Sequence, residues 1–427
     1  MDQGNTGFIL ISAALVLLMT PGLAFFYGGM VKAKSVVSMM MLSFGSMGLV
    51  GVLWVIYGYA ISFSNEGVGK FVGIDGWFGI DTGSLFLDSQ VSNALGDPAA
   101  MTSGHPDLAF VAFQAVFAII TVALISGAIA DRAKFGAWMV FAGVWATLVY
   151  FPVANWVFNF TLDKDLKVID GGWIVYNLGV HDFAGGTAVH INAGAAGLAL
   201  AIVLGKRFGF SKGITQPHNV PLTLLGAGLL WFGWFGFNAG SELAADGIAS
   251  IAFLNTLSAP AAAMLGWLII EKIKHGKATS IGAASGAVAG LVAITPACDI
   301  LNPGWGLLLG LIAGALCALA VDLKFALGFD DSLDVVGIHL VGGIFGTLFI
   351  GVFGRGIGVL DSGSWNQLGA QAIGAGAVLL YSFIGALVIG FAVEKTMGFR
   401  VKAEDEIAGI DTVVHGEEAY AFGGAHV

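Results

Sequence analysis

Charged side chains are scarce in this sequence, and their scarcity decides the class of protein. Asp, Glu, Lys and Arg make up 11% of the 427 residues, whereas in a soluble chain they make up about a quarter. Hydrophobic residues make up 57%, and the 65 glycines are not counted among them. The composition therefore excludes a soluble globular protein and predicts a polytopic membrane protein.

Cysteines and the usual signatures of catalysis are also lacking. Cys298 and Cys317 are too few for a disulfide framework, so we interpret them as apolar filler. The first charge is Asp2, and no basic region precedes the first apolar run, so we expect no cleavable signal peptide. We find no phosphate-binding loop, metal-ligand cluster or nucleophile elbow, and therefore expect no enzyme activity, no cofactor and no metal site.

The apolar residues fall into segments of about 20 residues or longer, the length that a helix needs to cross a bilayer. They predict an all-α polytopic membrane protein in which residues 1–397 form the transmembrane domain and residues 398–427 a tail. The eleven segments have the approximate limits 7–31, 36–63, 108–130, 136–159, 183–204, 219–241, 249–271, 279–298, 304–322, 335–354 and 368–393.

The basic residues are sorted by side. The connections after odd-numbered spans and the tail hold fourteen of them, and the other side holds four. Because Lys and Arg are retained on the cytoplasmic side, we predict an outside N-terminus and a cytoplasmic tail. The long connection 64–107 is acidic, which fits either a solvated loop or a weakly cation-attracting vestibule. The fourteen are Lys32, Lys34, Arg132, Lys134, Lys206, Arg207, Lys212, Lys272, Lys274, Lys277, Lys324, Lys395, Arg400 and Lys402.

Two histidines lie inside apolar spans. His190 is in the fifth span and His339, 149 residues later, is in the tenth. An ionisable side chain at membrane depth costs about 3 kcal/mol and usually marks a substrate or proton path. Each could instead be an unrelated core histidine bonded to a carbonyl, but an offset of five spans puts both at matching positions of an inverted repeat. We therefore favour a pair that faces one pathway near the midplane.

Other polar and aromatic side chains in these spans could serve either structure or cation binding. Phe113 and Phe117 share one face of a helix, and Ser241 follows an aromatic run that ends the sixth span. Such rings attract cations, although rings alone are more often packing. Asp182 precedes the fifth span, where it either caps the helix start or binds a cation directly; we favour capping.

Glycines recur four residues apart in the eighth and ninth spans. Gly282, Gly286 and Gly290 form one row. Gly306, Gly310 and Gly314 form the other. Small residues at this spacing let helices approach closely in lipid, so the rows predict a tightly packed bundle.

Four motifs in order make the sequence resemble the Amt/Mep/Rh ammonium transporter family, and its Amt branch most. They are Thr20-Pro-Gly-Leu-Ala-Phe-Phe-Tyr-Gly-Gly-Met30, Asp182-Phe-Ala-Gly-Gly-Thr-Ala-Val-His-Ile-Asn192, Trp234-Phe-Gly-Phe-Asn-Ala-Gly-Ser241 and the segment from Asp334 to His339. The resemblance implies an eleven-helix bundle with an inverted five-helix repeat, and a homotrimer in which each subunit has its own pore.

The resemblance also implies roles for single residues. Phe113, Phe117 and Ser241 match the outer ammonium recruitment site, and Phe117 and Phe237 match the stacked rings that close the pore. His190 and His339 match the twin histidines, Asp182 the aspartate that supports the site, and Trp234 the tryptophan beside the histidines.

One position departs from the family. The recruitment site often has a tryptophan from the fourth span, and alignment places Phe158 there. Phenylalanine is a poorer cation partner than tryptophan, which puts the strength of recruitment in doubt. Trp156 is two residues away and is expected to point to a different face.

The tail, 398–420, also resembles that of Amt proteins, where it packs under the pore and takes part in regulation by a PII signalling protein. Ile407, Ile410 and Val413 recur at helical spacing, which argues against a disordered end.

The function implied is ammonium transport across the cytoplasmic (inner) membrane. Ammonium would be recruited outside and deprotonated, and ammonia would pass the phenylalanine gate and a twin-histidine proton relay. Two alternatives remain, an ammonium sensor with little flux and a neutral ammonia gas channel of the Rhesus type.

Overall fold

The computed structural model of the chain describes residues 2–64, 70–96, 106–163, 167–210 and 217–420. Within these ranges eleven helices are long and apolar enough to cross a membrane, which confirms the predicted number. We number them spans 1 to 11. They are Gln3–Met30, Val36–Ser62, Asp107–Ile129, Phe135–Phe158, Gly186–Leu204, Val220–Glu242, Gly247–His275, Ser280–Ala297, Pro303–Leu327, Val336–Phe353 and Asn366–Met397.

Short elements mark the two faces of the bundle. Strands β1 (Phe71–Ile74) and β2 (Phe78–Asp81) form an antiparallel hairpin after span 2, in the register Phe71↔Asp81. Strands β3 (Phe160–Leu162) and β4 (Val168–Gly171) form a second hairpin after span 4, in the register Phe160↔Gly171. We call this side the hairpin face. Residues 65–69 and 97–105 of the connection predicted at 64–107 lie outside the described ranges.

The opposite side, on which residues 398–420 pack, is the tail face. The Asp411 carboxylate accepts hydrogen bonds from the backbone nitrogens of Val37 (3.0 Å) and Ser38 (2.8 Å), and so caps the start of span 2. Arg400 donates to the carbonyl of Leu204 at the end of span 5 (3.0 Å). The tail thus touches several tail-face connections, and its last residues, 421–427, lie outside the described part of the chain.

The predicted apolar stripe of the tail is only partly formed. Ile410 is 1% exposed, but Ile407 and Val413 are 57% and 51% exposed. The reason is a break at Gly409, whose φ of 124° ends the helix Ala403–Ala408 before the turn Asp411–His415 begins. A left-handed φ of this kind is readily adopted only by glycine, so the two segments face different directions.

Spans 1 and 6 pack along their length through small residues. A Cβ on Gly226 would lie 2.2 Å from the backbone nitrogen of Phe26, and one on Gly233 would lie 2.6 Å from the Leu15 carbonyl. In lipid, helices associate through such close packing rather than through hydrophobic burial. These two spans therefore form a closely packed wall beside the histidine-bearing spans.

The two glycine rows of spans 8 and 9 pack on span 7. A Cβ on Gly310 would lie 2.1 Å from the Ala259 carbonyl, and one on Gly314 would lie 1.9 Å from the Ala263 carbonyl. In span 8, a Cβ on Gly290 would lie 2.5 Å from the Cβ of Ala263. The rows therefore serve helix approach, as their spacing predicted.

Candidate functional site

Spans 5 and 10 each open with one turn of widened π-helix that carries a histidine. The turns are Gly186–Ile191 and Val336–Leu340. They bring the Nδ1 atoms of His190 and His339 to 3.2 Å, with the ring centroids 5.3 Å apart and the rings inclined by 24°. Both side chains are buried, at 1% and 3% exposure. Single π-helical turns of this kind are frequent at functional sites.

A carboxylate eight residues before each histidine holds its turn. Asp182 accepts from the backbone nitrogens of Gly185 (2.9 Å), Gly186 (2.6 Å) and Thr187 (2.8 Å), and the Thr187 hydroxyl also donates to it. Asp331 accepts from the backbone nitrogens at 335 (3.1 Å) and 336 (2.7 Å). The two half-sites are therefore built alike, as expected for an inverted repeat.

Glycines allow these two spans to cross at the histidines. A Cβ on Gly194 would lie 2.5 Å from the backbone nitrogen of Leu340, and one on Gly343 would lie 3.1 Å from the Cβ of His190. Each glycine is four residues after a histidine, one turn further along its helix. The short distance between the imidazoles thus depends on the absence of side chains at both positions.

Two stacked rings cover the histidines on the hairpin side. The rings of Phe117 and Phe237 are 4.2 Å apart and inclined by 23°. Phe113 lies 4.9 Å from Phe117, and Phe158 meets Phe117 edge-on at 6.2 Å. Phe113, Phe117 and Phe237 are each 1% exposed. This end of the path is therefore closed by side chains.

Ser241 lies at the end of span 6 near the phenylalanine rings, whereas Trp156 belongs to a separate aromatic cluster. The Ser241 hydroxyl donates to the Phe237 carbonyl (2.8 Å) and is half-buried, so its lone pairs remain open to a donor. Trp156 instead packs among Trp77, Trp173 and Tyr381, with its Nε1 donating to the Trp77 carbonyl (2.6 Å). Trp156 therefore does not take the place of the family tryptophan that is absent at position 158.

Trp234 presents only its apolar face to the path. Its Nε1 donates to the hydroxyl of Thr295 (2.9 Å), and its ring stacks on His190 at 5.5 Å with an inclination of 22°. Because the indole N–H is already bonded, the tryptophan shapes the bore without offering it a hydrogen-bond donor.

A cavity of about 10 Å³ lies beside the two histidines. That volume accommodates about one water-sized molecule. Its wall is almost wholly apolar, and His190 Nε2 is buried there without a protein hydrogen-bond partner among the described residues. The wall comprises Met19, Leu23, Phe26, Ile120, Leu124, Val189, His190, Leu230, Trp234, Phe237, Val288 and His339.

A wider vestibule of about 320 Å³ opens at the tail face. It is lined among others by Met30, Trp267, Ser285 and Asp334. Ser285 lies one helical turn from Val288, which lines the small cavity. The phenylalanine pair, the small cavity and the vestibule thus follow one another from the hairpin face to the tail face, and we call this succession the path.

Ion pairs fix the tail-face end of this path. Arg207 pairs with Asp330 (2.8 Å), and Lys324 pairs with Asp334. Burial disfavours a charged Asp330, but the Arg207 guanidinium outweighs it and holds the pKa of Asp330 below its usual value. Burial and the neighbouring Asp334 carboxylate raise the pKa of Asp331 to about 6.

Sequence reasoning missed Asp331, Thr295 and the apolar lining. The sequence drew attention to Asp334, although the shared spacing of eight residues between aspartate and histidine was a signal for Asp331. The apolar lining had no signal, because its leucines and isoleucines do not differ from those that pack helices together. Among the described residues no group of three or more His, Cys, Asp or Glu is arranged to hold a metal ion.

Comparisons with known proteins point in one direction. The sequence matches the model of the Ammonium Transporter Family over residues 7–420. An ammonium transporter of Mycobacterium tuberculosis (strain ATCC 25618 / H37Rv) is 54% identical over 440 residues, covering 99% of this chain and 91% of the relative. The crystal structure of Saccharomyces cerevisiae Mep2 is 32% identical, with a TM-score of 0.82 over 94% of this chain and 91% of that chain. A structure named Sensor Amt Protein is 28% identical, with a TM-score of 0.85 over 96% and 98%.

Proposed function

Because this chain belongs to the ammonium transporter family, we propose that it moves ammonium across the cytoplasmic membrane along the path described above. The family assignment made from the four motifs is confirmed by the match over 7–420. The basic residues at the tail face support an orientation in which the hairpin face is outside and the tail face is cytoplasmic.

The observation that carries the proposal is a pair of buried imidazoles in a bore for one small molecule, beneath two stacked rings. An ammonium ion that enters such a bore loses its water and gains only apolar contacts, which costs many kcal/mol. Ammonia does not carry this charge. The bore therefore favours ammonia, and the proton needs another route.

The imidazole pair offers that route. Nδ1 atoms 3.2 Å apart share one hydrogen, so one ring donates through Nδ1 and the other accepts. A proton that arrives at the Nε2 of the donating ring makes it an imidazolium, and its Nδ1 proton then passes to the second ring. The second ring releases a proton from its own Nε2. One transfer exchanges the tautomers of His190 and His339, so each cycle includes a reset.

Ammonium is recruited at the mouth by Phe113, Phe117, Phe158 and the Ser241 hydroxyl. An aromatic face attracts a cation by about 0.5–2 kcal/mol, and the hydroxyl oxygen accepts an N–H hydrogen bond. Phe117 and Phe237 close the path beneath this site. Passage therefore depends on rotation of these side chains, which opens the lid transiently.

Current measurement on purified protein in liposomes tests the proposal. We expect an inward current that depends on an ammonium gradient and does not need sodium. Substituting both histidines, as His190→Ala with His339→Ala, removes the current while the protein remains folded. Full current in that double variant would falsify the relay. Ammonia flux without current in the parent would favour the gas channel, and ammonium binding without flux would favour the sensor.

A single-site variant tests the role of charge in the bore. In His190→Glu a carboxylate that stays ionised offsets the desolvation of a cation, so we expect potassium current in addition to ammonium current. The neutral variant His190→Gln is the matched control and excludes potassium. Equal potassium exclusion by both variants would contradict this account.

The tail face is also proposed to bind a PII signalling protein, and the chain to act as a homotrimer. The support is the family resemblance together with the docking of residues 398–420 beside the vestibule. Size-exclusion chromatography with light scattering tests the trimer. Pull-down with the host's PII protein, with and without nucleotide effectors, tests the partner, and absence of binding in every effector state counts against it.

A further inference from the structure

His181, the residue before Asp182, forms an ion pair at the hairpin face. Its Nε2 lies 3.0 Å from the Asp299 carboxylate, and the two side chains are 28% and 13% exposed. The backbone of His181 is held separately by Gln371 of span 11, whose amide accepts from the His181 nitrogen (2.8 Å) and donates to its carbonyl (2.8 Å). The imidazole is therefore directed at Asp299 from a fixed backbone.

Asp299 ends a segment, Thr295–Asp299, that makes two further contacts with residues around the histidines. The Thr295 hydroxyl accepts the hydrogen bond from Trp234, whose ring stacks on His190. The carbonyl of Pro296 accepts from the backbone nitrogen of Phe183 (3.2 Å). The segment therefore joins the indole beside the relay to the loop that contains Asp182.

We infer that His181 and Asp299 are a positioning pair, which holds segment 295–299 against the start of span 5 and so sets the geometry of Trp234, Asp182 and the relay. The inference rests on the proposed transport function. Neither residue is a ligand of the path itself. Loss of the pair loosens the segment on its hairpin-face end, while the contacts of Gln371 keep the His181 backbone in place.

The pair gives transport a dependence on pH. Burial works against a charged imidazole, but the carboxylates of Asp299 and Asp182 outweigh it and raise the pKa of His181. A raised pKa means that the ion pair is present below the pKa of folded His181 and is lost as pH rises through that pKa.

The other titratable groups around the pair are mostly acidic. Asp182 acts from the same segment as His181, and the buried thiol of Cys298 precedes Asp299. Glu242, at the end of span 6, interacts electrostatically with Asp299 and with Asp246. On the side of span 10, Arg355 donates its backbone nitrogen to the carbonyl of Ile300, and its side chain is exposed. His181 is thus the base whose pKa this acidic surround raises.

The test is a double-mutant cycle of His181→Gln, Asp299→Asn and the double variant in full-length protein. Methylammonium uptake into liposomes and thermal unfolding in detergent are each measured from about pH 6 to about pH 9, a range that spans histidine titration. Lys167→Gln, at an exposed cation on the hairpin face, is the matched control. We expect about fivefold lower uptake in each single variant at the acid end, no further loss in the double variant, and convergence with the parent at the alkaline end.

Two results overturn the inference. One is a ratio of variant to parent uptake that stays constant across the pH range, since a merely structural loss would do that. The other is additive effects of the two substitutions on thermal unfolding. Absence of uptake by the parent overturns the proposed function instead, and the unfolding cycle then still decides whether the ion pair exists.

Discussion

The role of Asp182 can be decided by its substitution with alanine. The carboxylate accepts from four backbone N–H groups, at Gly185, Gly186, Thr187 and Ala188, as well as from a hydroxyl. An ordinary helix cap contributes about 1 kcal/mol, and each buried N–H left without a partner costs about 1–3 kcal/mol. The donating residues are buried and Asp182 itself is half-buried, so water entering from the Asp182 side replaces part of the lost bonding, and we expect Asp182→Ala to lower the free energy of unfolding by about 3 kcal/mol.

Thermal unfolding in detergent is the assay. With an unfolding entropy of about 2.1 cal/mol/K per residue, a loss of about 3 kcal/mol lowers the midpoint by about 3 °C. Uptake should fall in parallel, because the π-helical turn that carries His190 loses its anchor. Asp182→Asn keeps one oxygen but turns an amide toward donors at Thr187 and Ala188, so it should lie between alanine and the parent.

Asp246 provides a matched control. Its carboxylate caps span 7 by accepting from the backbone nitrogens of Ile248 (2.9 Å) and Ala249 (3.0 Å), and Asp246→Ala should cost about 1 kcal/mol. The capping account is refuted if Asp182→Ala melts like the parent while the half-saturating ammonium concentration rises. That result would show instead that the carboxylate binds the cation.

Three further predictions follow from packing, recruitment and topology. Gly314→Ala should lower the thermal midpoint, because its Cβ would lie 1.9 Å from a carbonyl of span 7, whereas Gly304→Ala, with nothing within 4 Å, should not; equal midpoints would contradict this. Phe158→Trp should lower the half-saturating concentration for methylammonium uptake, since an indole binds cations better than a phenyl ring, and an unchanged value would count against recruitment there. A cysteine at exposed Glu418 should react with a membrane-impermeant maleimide only after lysis, and one at exposed Ile74 in intact cells; the reverse pattern would invert the topology.

The spans were predictable from sequence because lipid leaves little choice. A backbone in hydrocarbon has to satisfy its own hydrogen bonds, so every long apolar run becomes a helix, and its length is visible in the sequence. The true start of span 5 was not visible. Hydropathy begins it at 183, but the helix begins at Gly186, because Asp182 bonds the nitrogens that follow and Gly185 adopts a φ of 114°.

The candidate site likewise includes residues that could be predicted from the sequence and residues that could not. His190 and His339 could be found because buried ionisable groups are rare in spans, so each is informative alone. Asp331 was passed over among three nearby carboxylates, although its position eight residues before His339 marks it. The ion pairs of Asp330 with Arg207 and of Asp334 with Lys324, which set those two carboxylates apart, form only in the fold. The predicted apolar stripe of the tail formed only in part for a local reason, because one left-handed glycine, Gly409, separates Ile407 from Val413.

Asp182 and Asp331 also affect the electrostatic potential at the starts of spans 5 and 10. Spans 5 and 10 begin within the protein, and a helix start carries about half a positive charge, which repels a cation nearby. Asp182 and Asp331 place a carboxylate on each of these starts, bonded to the nitrogens that carry the positive potential. The positive potential is thereby offset on both sides of the imidazole pair. The two helix starts therefore do not by themselves favour a proton on one imidazole of the proposed relay over the other.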